Sequence, residues 1–262
     1  MIPARITRDR VAAALYACLV AVTAITVVWS MRQGWAIYKL RRGVGDTWFY
    51  SADGRPWFRM DEQRRDVSLD QIAPDLQNAI IAVEDHRFYH HFGIDPIGVG
   101  RAAWRDVHGG RLEGGSTLTQ QLARTLFLSN KQTPLRKAQE AVLALLLEQE
   151  LSKNQILELY LNRIYLSGGV YGVETMSLNL YGKPASKVTL PEASLIAGLI
   201  RAPSALSPWS NLDGALDRSR VVLQRMREEG FITPAQERAA VQARPRIRSY
   251  PGASEARFGY AK

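Results

Sequence analysis

Two acids, Glu84 and Asp85, close an apolar run (Ile80, Ile81, Ala82, Val83) and open onto His86, His90 and His91 in the stretch IIAVEDHRFYHHFGID. An acid carried at the mouth of an apolar helix loses hydration. The loss favours the protonated form and raises the pKa towards the range where a general base or acid works at cellular pH. The same residues also fit a surface acid at a helix end, since structural ion-pair networks gather acids beside Arg and His in the same way. Neither an HExxH pattern nor a matching set of carboxylates completes a metal site around the histidines. They read as hydrogen-bonding residues, and no metal ligand is assigned.

A second chemical strip follows in GGSTLTQQLARTLFL, residues 114–128. Glycines allow close backbone approach, the hydroxyls of Ser116, Thr117 and Thr119 and the amides of Gln120 and Gln121 reach sugar or phosphate oxygens, and Arg124 neutralises charge. A polar, anionic ligand suits such a strip, as does an ordinary capped helix with a polar face. Further on, Lys137 and Glu140 stand three residues apart, so a helix sets a cation and an acid on one face, beside Arg136. An exposed pair of that kind contributes under about 1 kcal/mol to stability.

The elements that must hold these residues are mostly helical. Ser68 with Gln71, Ser152 with Gln155, Thr189 with Glu192 and Thr233 with Gln236 have capping-box spacing before apolar-periodic segments. In the longest pattern, from Leu135 to Leu151, the residues Leu135, Ala138, Val142, Leu145 and Leu146 recur at helical spacing and are expected to face the core, which leaves Glu140 off that stripe. Alternating aromatic and turn residues from Gly43 to Phe58, with Asp53-Gly54 between, predict a short hairpin. Four glycines in the seven residues 109–115 predict a loop.

The chain has 262 residues, 46% hydrophobic and 23% charged, enough for one core plus an anchor. From Val11 to Met31 no charged residue occurs, and at about 1.5 Å per residue that run crosses a hydrocarbon layer of about 30 Å. It reads as a transmembrane helix containing Cys18, the lone cysteine, which excludes an internal disulfide. Basic residues flank the span on both sides, so charge counting barely orients it, and the short N-terminal tail points to the cytoplasm. A net charge of +9 suggests an anionic partner. The anchor demotes nucleic acid, and no nucleic-acid-binding motif restores it.

Five motifs in order, EDHRFYHHFGID, GGSTLTQQLARTLFL, RKAQEAVLALLLEQELSKNQILELYLNRIYL, GVYGVETMSLNLYGK and LPEASLIAGLIRAPSALSP, resemble those of the peptidoglycan glycosyltransferase family, in wording closest to the glycosyltransferase domain of class A penicillin-binding proteins. The resemblance implies a mainly α, lysozyme-like domain with a small hairpin-containing N-terminal part and one transmembrane helix. The expected organisation is a cytoplasmic tail (1–10), the span (11–31), the glycosyltransferase domain (43–240) and a basic, linker-like tail (241–262). It further implies polymerisation of lipid II into glycan strands outside the bacterial cytoplasmic membrane, with inversion at the anomeric carbon and undecaprenyl-pyrophosphate leaving. Implied partners are lipid II, the growing strand, the membrane and other cell-wall synthesis proteins. No cofactor is obligatory, and a divalent cation, magnesium or manganese, is compatible.

Carried over by motif, Glu84 matches the base that deprotonates the acceptor's 4-hydroxyl, and Glu140 matches the family's second glutamate, which positions the donor pyrophosphate or assists its departure. Ser116, Thr117, Gln120 and Gln121 match the donor-contacting strip, and Lys137 a phosphate-contacting lysine. Asn162, Tyr171, Gly172 and Glu174 match positions shaping the cleft. Arg124 stands where the family usually has lysine, so a planar fork replaces a point charge. Gln132 stands where arginine is common, and neighbouring Lys131 substitutes for it only if the loop shifts.

The residues' own chemistry agrees: transfer to an anomeric carbon needs a base for the incoming hydroxyl and cations for a leaving pyrophosphate. A single displacement inverts, and retention would need a second carboxylate as nucleophile. A lysozyme-like glycan-cleaving enzyme is the first alternative, although hydrolysis has no pyrophosphate for the cations to hold. A non-catalytic scaffold binding lipid II or cell-wall proteins is the second, supported by the changes at 124 and 132. Trp104, Leu126, Phe127 and Leu128 form either an apolar lip against the membrane or ordinary core. No transpeptidase motif set occurs within these residues, so the chain is expected to be a stand-alone glycosyltransferase or the N-terminal part of a longer enzyme.

Overall fold

The apolar run near the N-terminus forms one helix, α1 (Arg8–Leu40), in a computed structural model that describes residues 8–40, 47–50, 56–60, 65–107, 115–128 and 133–250. Its 33 residues extend beyond the predicted span at both ends. The physical reason is that charged residues at either end do not stop a helix, whereas the uncharged run measures only its apolar stretch. The most apolar stretch, Leu15–Arg32, has a mean hydropathy of 1.7 and no buried residue. Thr23 and Thr26 donate their hydroxyls to the carbonyls of Leu19 and Val22, both at 2.8 Å, so these polar groups are satisfied inside the helix, as a hydrocarbon environment requires. α1 belongs to the first of two units, Met1–Gly45, and everything below belongs to the second, Asp46–Lys262.

The second unit opens with the expected hairpin, β1 (Thr47–Tyr50) antiparallel to β2 (Pro56–Met60), in register Phe49 to Phe58. The capping box at Ser68 closes only a 3-10 turn, Leu69–Gln71. Pro74 forces Ala73 into an extended conformation, and the chain restarts as α2 (Pro74–Glu84) with proline in its first turn. There follow α3 (Pro96–Val107), α4 (Leu118–Phe127), α5 (Pro134–Glu150) and α6 (Lys153–Arg163). A two-stranded ribbon, β3 (Tyr165–Ser167) with β4 (Val170–Tyr171), leads to α7 (Val173–Tyr181), α8 (Leu190–Leu199), α9 (Leu212–Glu228) and α10 (Pro234–Gln242). The domain is mainly α, and the boxes at Ser152, Thr189 and Thr233 begin α6, α8 and α10 as the spacing predicts.

α8 is buried at every position from Ala193 to Leu199 and packs against both α2 and α9, which makes it the central helix. The α5 stripe is a correction. Leu135 (70% exposed), Ala138 and Leu145 face outward, Val142 and Leu146 are half-buried, and the buried stripe is Glu140, Leu143, Ala144, Leu147 and Glu148. The cause is the turn at Gly93: its φ of +71° excludes most other residues, and a Cβ there would lie 2.8 Å from the Ala144 carbonyl oxygen. The turn therefore presses on the Ala144 side of α5, and Glu140 comes inside with it.

The tail expected from residue 241 is attached to the domain as far as Tyr250. Arg248 N–H donates to the Leu180 carbonyl (2.9 Å), Trp209 Nε1 donates to the Arg248 carbonyl (3.0 Å), and the Tyr250 hydroxyl donates to the Gly168 carbonyl (3.1 Å).

Candidate active site

α2 buries Leu76, Ala79 and Ile80 and ends at Glu84, while the following residue, Asp85, caps the helix through its N–H to the Ile81 carbonyl at 2.9 Å. Glu84 is half-buried and opens onto a cleft of about 990 Å³. Gln121 Nε2 donates to Glu84 Oε2 at 2.9 Å, and the Tyr160 hydroxyl donates to Gln121 Oε1 at 3.0 Å. Burial raises the Glu84 carboxyl above its ordinary pKa, the Gln121 hydrogen bond and the charges of Arg218 and Arg201 oppose the rise, and Asp85 adds to it.

Asp85 faces the other way. Its Oδ2 accepts the N–H of Leu118 at 2.9 Å, at the start of α4, and both its oxygens lie 3.0 Å from His91 Nε2. Thr117 adds a second tie by donating its hydroxyl to the Gly93 carbonyl (2.6 Å). The turn carrying Glu84 is thus bolted to the start of the hydroxyl and amide strip. His86 Nε2 meets Arg101 Nη1 at 2.9 Å on the cleft wall, and His90 is exposed.

Glu140 is 2% exposed, with Arg136 on one oxygen and Lys137 Nζ on the other at 3.0 Å. Lys137 Nζ also donates to Ser116 Oγ at 2.6 Å, and Ser116 lines the Glu84 cleft, so the second acid reaches the site through a cation and a hydroxyl. Ser116, Thr117, Gln121 and Arg124 line the cleft together with Glu84. Lys131 and Gln132 lie outside the described residues, as do 108–114 of the glycine loop.

Gln120, Asn162, Tyr171 and Glu174 do not line the cleft. Thr117 and Gln120 form a capping box on α4, and the buried Gln120 spends its Oε1 on the Thr117 N–H. Asn162 ties down Val67, accepting its N–H at 3.1 Å and donating to its carbonyl at 2.8 Å. Glu174 accepts the Ala185 N–H at 2.7 Å, and Tyr171 packs its ring against Tyr165. Through these bonds Gln120, Asn162 and Glu174 fix the backbone around the site.

The far wall of the cleft was not found from the sequence. It is built from Arg201, just after α8, and from Arg218, Val221, Gln224, Arg225 and Glu228 of α9. Their spacing marks one helix face, a signal that was present but is shared by any solvated charged helix. Arg218 Nε is buried without a hydrogen-bond partner, and burial lowers the pKa of this guanidinium, with Glu84 opposing.

The transglycosylase family model matches residues 53–227, from the hairpin through α9. The chain belongs to that family. This transglycosylase domain is 46% identical over 194 residues to penicillin-binding protein 1A of Aquifex aeolicus, covering 73% of this chain and 27% of the relative. It is 49% identical over 189 residues to penicillin-binding protein 1A of Escherichia coli, covering 71% and 22%. A crystal structure of penicillin-binding protein 1A from Haemophilus influenzae matches 77% of this chain and 20% of that one, at 25% identity and a TM-score of 0.43. The chain therefore spans about a quarter of the length of the curated relatives it matches. The resemblance to the class A type of peptidoglycan glycosyltransferase domain holds at the level of family.

Proposed function

We propose that this chain polymerises lipid II into glycan strands by a single inverting displacement. The observation that carries the reading is Glu84: a carboxylate with a burial-raised pKa, opening on a cleft of about 990 Å³ whose walls carry arginines. The acceptor sugar's 4-hydroxyl gives its proton to Glu84 as its oxygen attacks the donor's anomeric carbon. The bond from that carbon to the pyrophosphate oxygen breaks, the electron pair leaves with the lipid pyrophosphate, and the configuration inverts. Arg124 of the strip and Lys137 of α5, which reaches the cleft through Ser116, neutralise the leaving charge.

A divalent cation fits the described residues poorly. Both Glu140 oxygens are already met by cations, and no group of three or more His, Cys, Asp or Glu gathers among the described residues. The leaving-group charge is assigned to side-chain cations, and the metal arms of the experiment below read any added part of a divalent cation. The apolar helix α1 suits single-pass anchoring with the catalytic unit outside the cytoplasmic membrane. Trp104, 67% exposed, together with the half-buried Leu126, Phe127 and Leu128, suits contact with the lipid surface that holds the substrate.

The test is polymerisation of labelled lipid II by wild type and Glu84→Gln, each with and without magnesium or manganese. Polymer from the wild type, its loss in the variant and retained substrate binding are expected. Polymer from the variant would remove Glu84 from the role, and fragments released from purified sacculi without lipid-linked substrate would replace synthesis by cleavage.

A further inference from the structure

Gln121 is the only hydrogen-bond donor to Glu84 among the described side-chain contacts, and its amide has two ends. The NH2 end attracts a carboxylate, and the carbonyl end repels it. The two orientations have nearly the same shape, so neighbouring hydrogen bonds decide between them. On its other side Gln121 Oε1 meets the Tyr160 hydroxyl at 3.0 Å. Tyr160 is 3% exposed on α6, and burial, with the charges of Glu84 and Asp85 adding and Arg124 opposing, pushes its pKa well above the ordinary tyrosine value. It is a neutral hydroxyl with one proton to give, at every working pH.

We propose that Tyr160 is a positioning residue: by donating to Gln121 Oε1 it fixes the Gln121 amide with its NH2 towards Glu84, and so holds Glu84 in the form that accepts a proton. This rests on the reading of Glu84 as the base. Without the hydroxyl the Gln121 carbonyl loses its donor and only Glu84 still holds the amide, so the turned amide, which offers Glu84 an acceptor that only a protonated carboxyl can use, gains weight. Removing Tyr160 therefore favours the acid form of Glu84, although Tyr160 touches neither Glu84 nor the cleft.

Other charges also act on Glu84 and stay in place when Tyr160 is changed. Arg218, Arg201 and Asp85 act on its charge, and Arg124 of α4, Arg101 of α3 with its partner His86, Asp95, Arg225, Glu228 and Glu229 face the same cleft. None of them can replace the Tyr160 hydroxyl as the group that orients the Gln121 amide, so a shift caused by Tyr160→Phe reports on the relay.

The experiment is the pH profile of labelled lipid II polymerisation by the full chain: wild type, Tyr160→Phe, Gln121→Met and the double variant. Tyr160→Phe keeps the shape of a buried ring. Its acid limb is expected to move up by roughly one pH unit, a loss of about tenfold on that limb that shrinks as pH rises, with KM for lipid II little changed. Gln121→Met should move the limb in the same direction, and the double variant should match Gln121→Met alone, since Tyr160 acts through the amide. A parallel loss at every pH, or losses that add in the double variant, would overturn the relay. If Tyr160→Phe fails to fold, an unmoved limb in Gln121→Met overturns it instead. A carboxyl carbon NMR titration, with the Glu84 signal assigned by its absence in Glu84→Gln, reads the same shift without turnover. No polymer from the wild type would defeat the proposed function, whereas coincident Glu84 titrations in wild type and Tyr160→Phe would defeat only the relay.

Discussion

Glu84 and Glu140 are both acids enclosed by helices, and the protein treats them in opposite ways. Glu84 ends α2 at the lip of a cleft, with a neutral amide as its hydrogen-bond donor and guanidinium groups acting across space, and burial wins, raising its pKa. Glu140 opens the buried stripe of α5 and has a cation on each oxygen. The first arrangement suits a group that must take up a proton during reaction. The second suits a group whose work is to hold Arg136 and Lys137 still while Lys137 reaches Ser116 at the cleft. The difference lies in the partners, not in the amino acid.

The hardest test of that contrast is to remove the charge from each acid without changing its shape. Glu84→Gln is expected to lower polymerisation by about 10³-fold, the scale of a lost general base. The folded protein should gain from the same change. A carboxyl whose folded pKa lies above its unfolded value binds protons more tightly when folded, so stability falls as pH rises through the interval between the two. Glu84→Gln removes that loss: differential scanning calorimetry should find its Tm about 2 °C above wild type at pH 7, with the gap closing at pH 3. A lower Tm at pH 7 would mean that Glu84 is a structural acid. Glu140→Gln should do the reverse, with a lower Tm at pH 7 and an activity loss of about 10²-fold. Its stability cost stays below the roughly 3–5 kcal/mol of a fully buried broken pair because Lys137 is half exposed.

The same contrast explains what could be read from the sequence. Glu84 was legible because an apolar run ending in an acid states its burial directly, and the boxes at Ser152, Thr189 and Thr233 were legible because capping is local. α5 was misread because its leucines offer two helical stripes of similar quality. The stripe containing two glutamates looks the less apolar until Arg136, Lys137 and Lys153 are seen to neutralise them. The α9 wall was missed for the complementary reason: Arg218 and Arg225 look solvated until α8 and α2 bring Glu84 opposite them. Asn162 and Glu174 are assigned by motif alone; the bond of Asn162 to Val67 joins segments far apart in sequence, and that of Glu174 reaches Ala185 across the end of α7, and no local pattern displays either.

The two cations on Glu140 should also part company. Arg136 is 14% exposed at its side chain and Lys137 49%. Lys137→Met is expected to cost about tenfold in kcat/KM for lipid II while leaving Tm within about 1 °C, as exposed pairs contribute little to stability. Arg136→Met should show the reverse weighting, a Tm lower by a few degrees and an activity loss under about fivefold, because it strips a buried acid of its more enclosed partner. Equal profiles for the two would mean that both cations serve one purpose and that Glu140 is not an anchor with a separate working arm.

The smallest expected effect belongs to Arg124, on the last turn of α4 and on the cleft wall. A guanidinium grips a phosphate with two parallel bonds, whereas an ammonium acts as a point charge on a flexible stem, so Arg124→Lys keeps the charge and gives up the fork. If Arg124 serves the leaving pyrophosphate chiefly through its field, as the side of the contrast facing Glu84 suggests, kcat/KM should change by no more than about threefold, while Arg124→Gln should lose about tenfold or more. A large loss in Arg124→Lys would show that the fork itself is used. The cleft would then hold its anion by geometry as tightly as Glu140 holds its cations, and the division between a field-tuned acid and a contact-locked one would no longer describe the site.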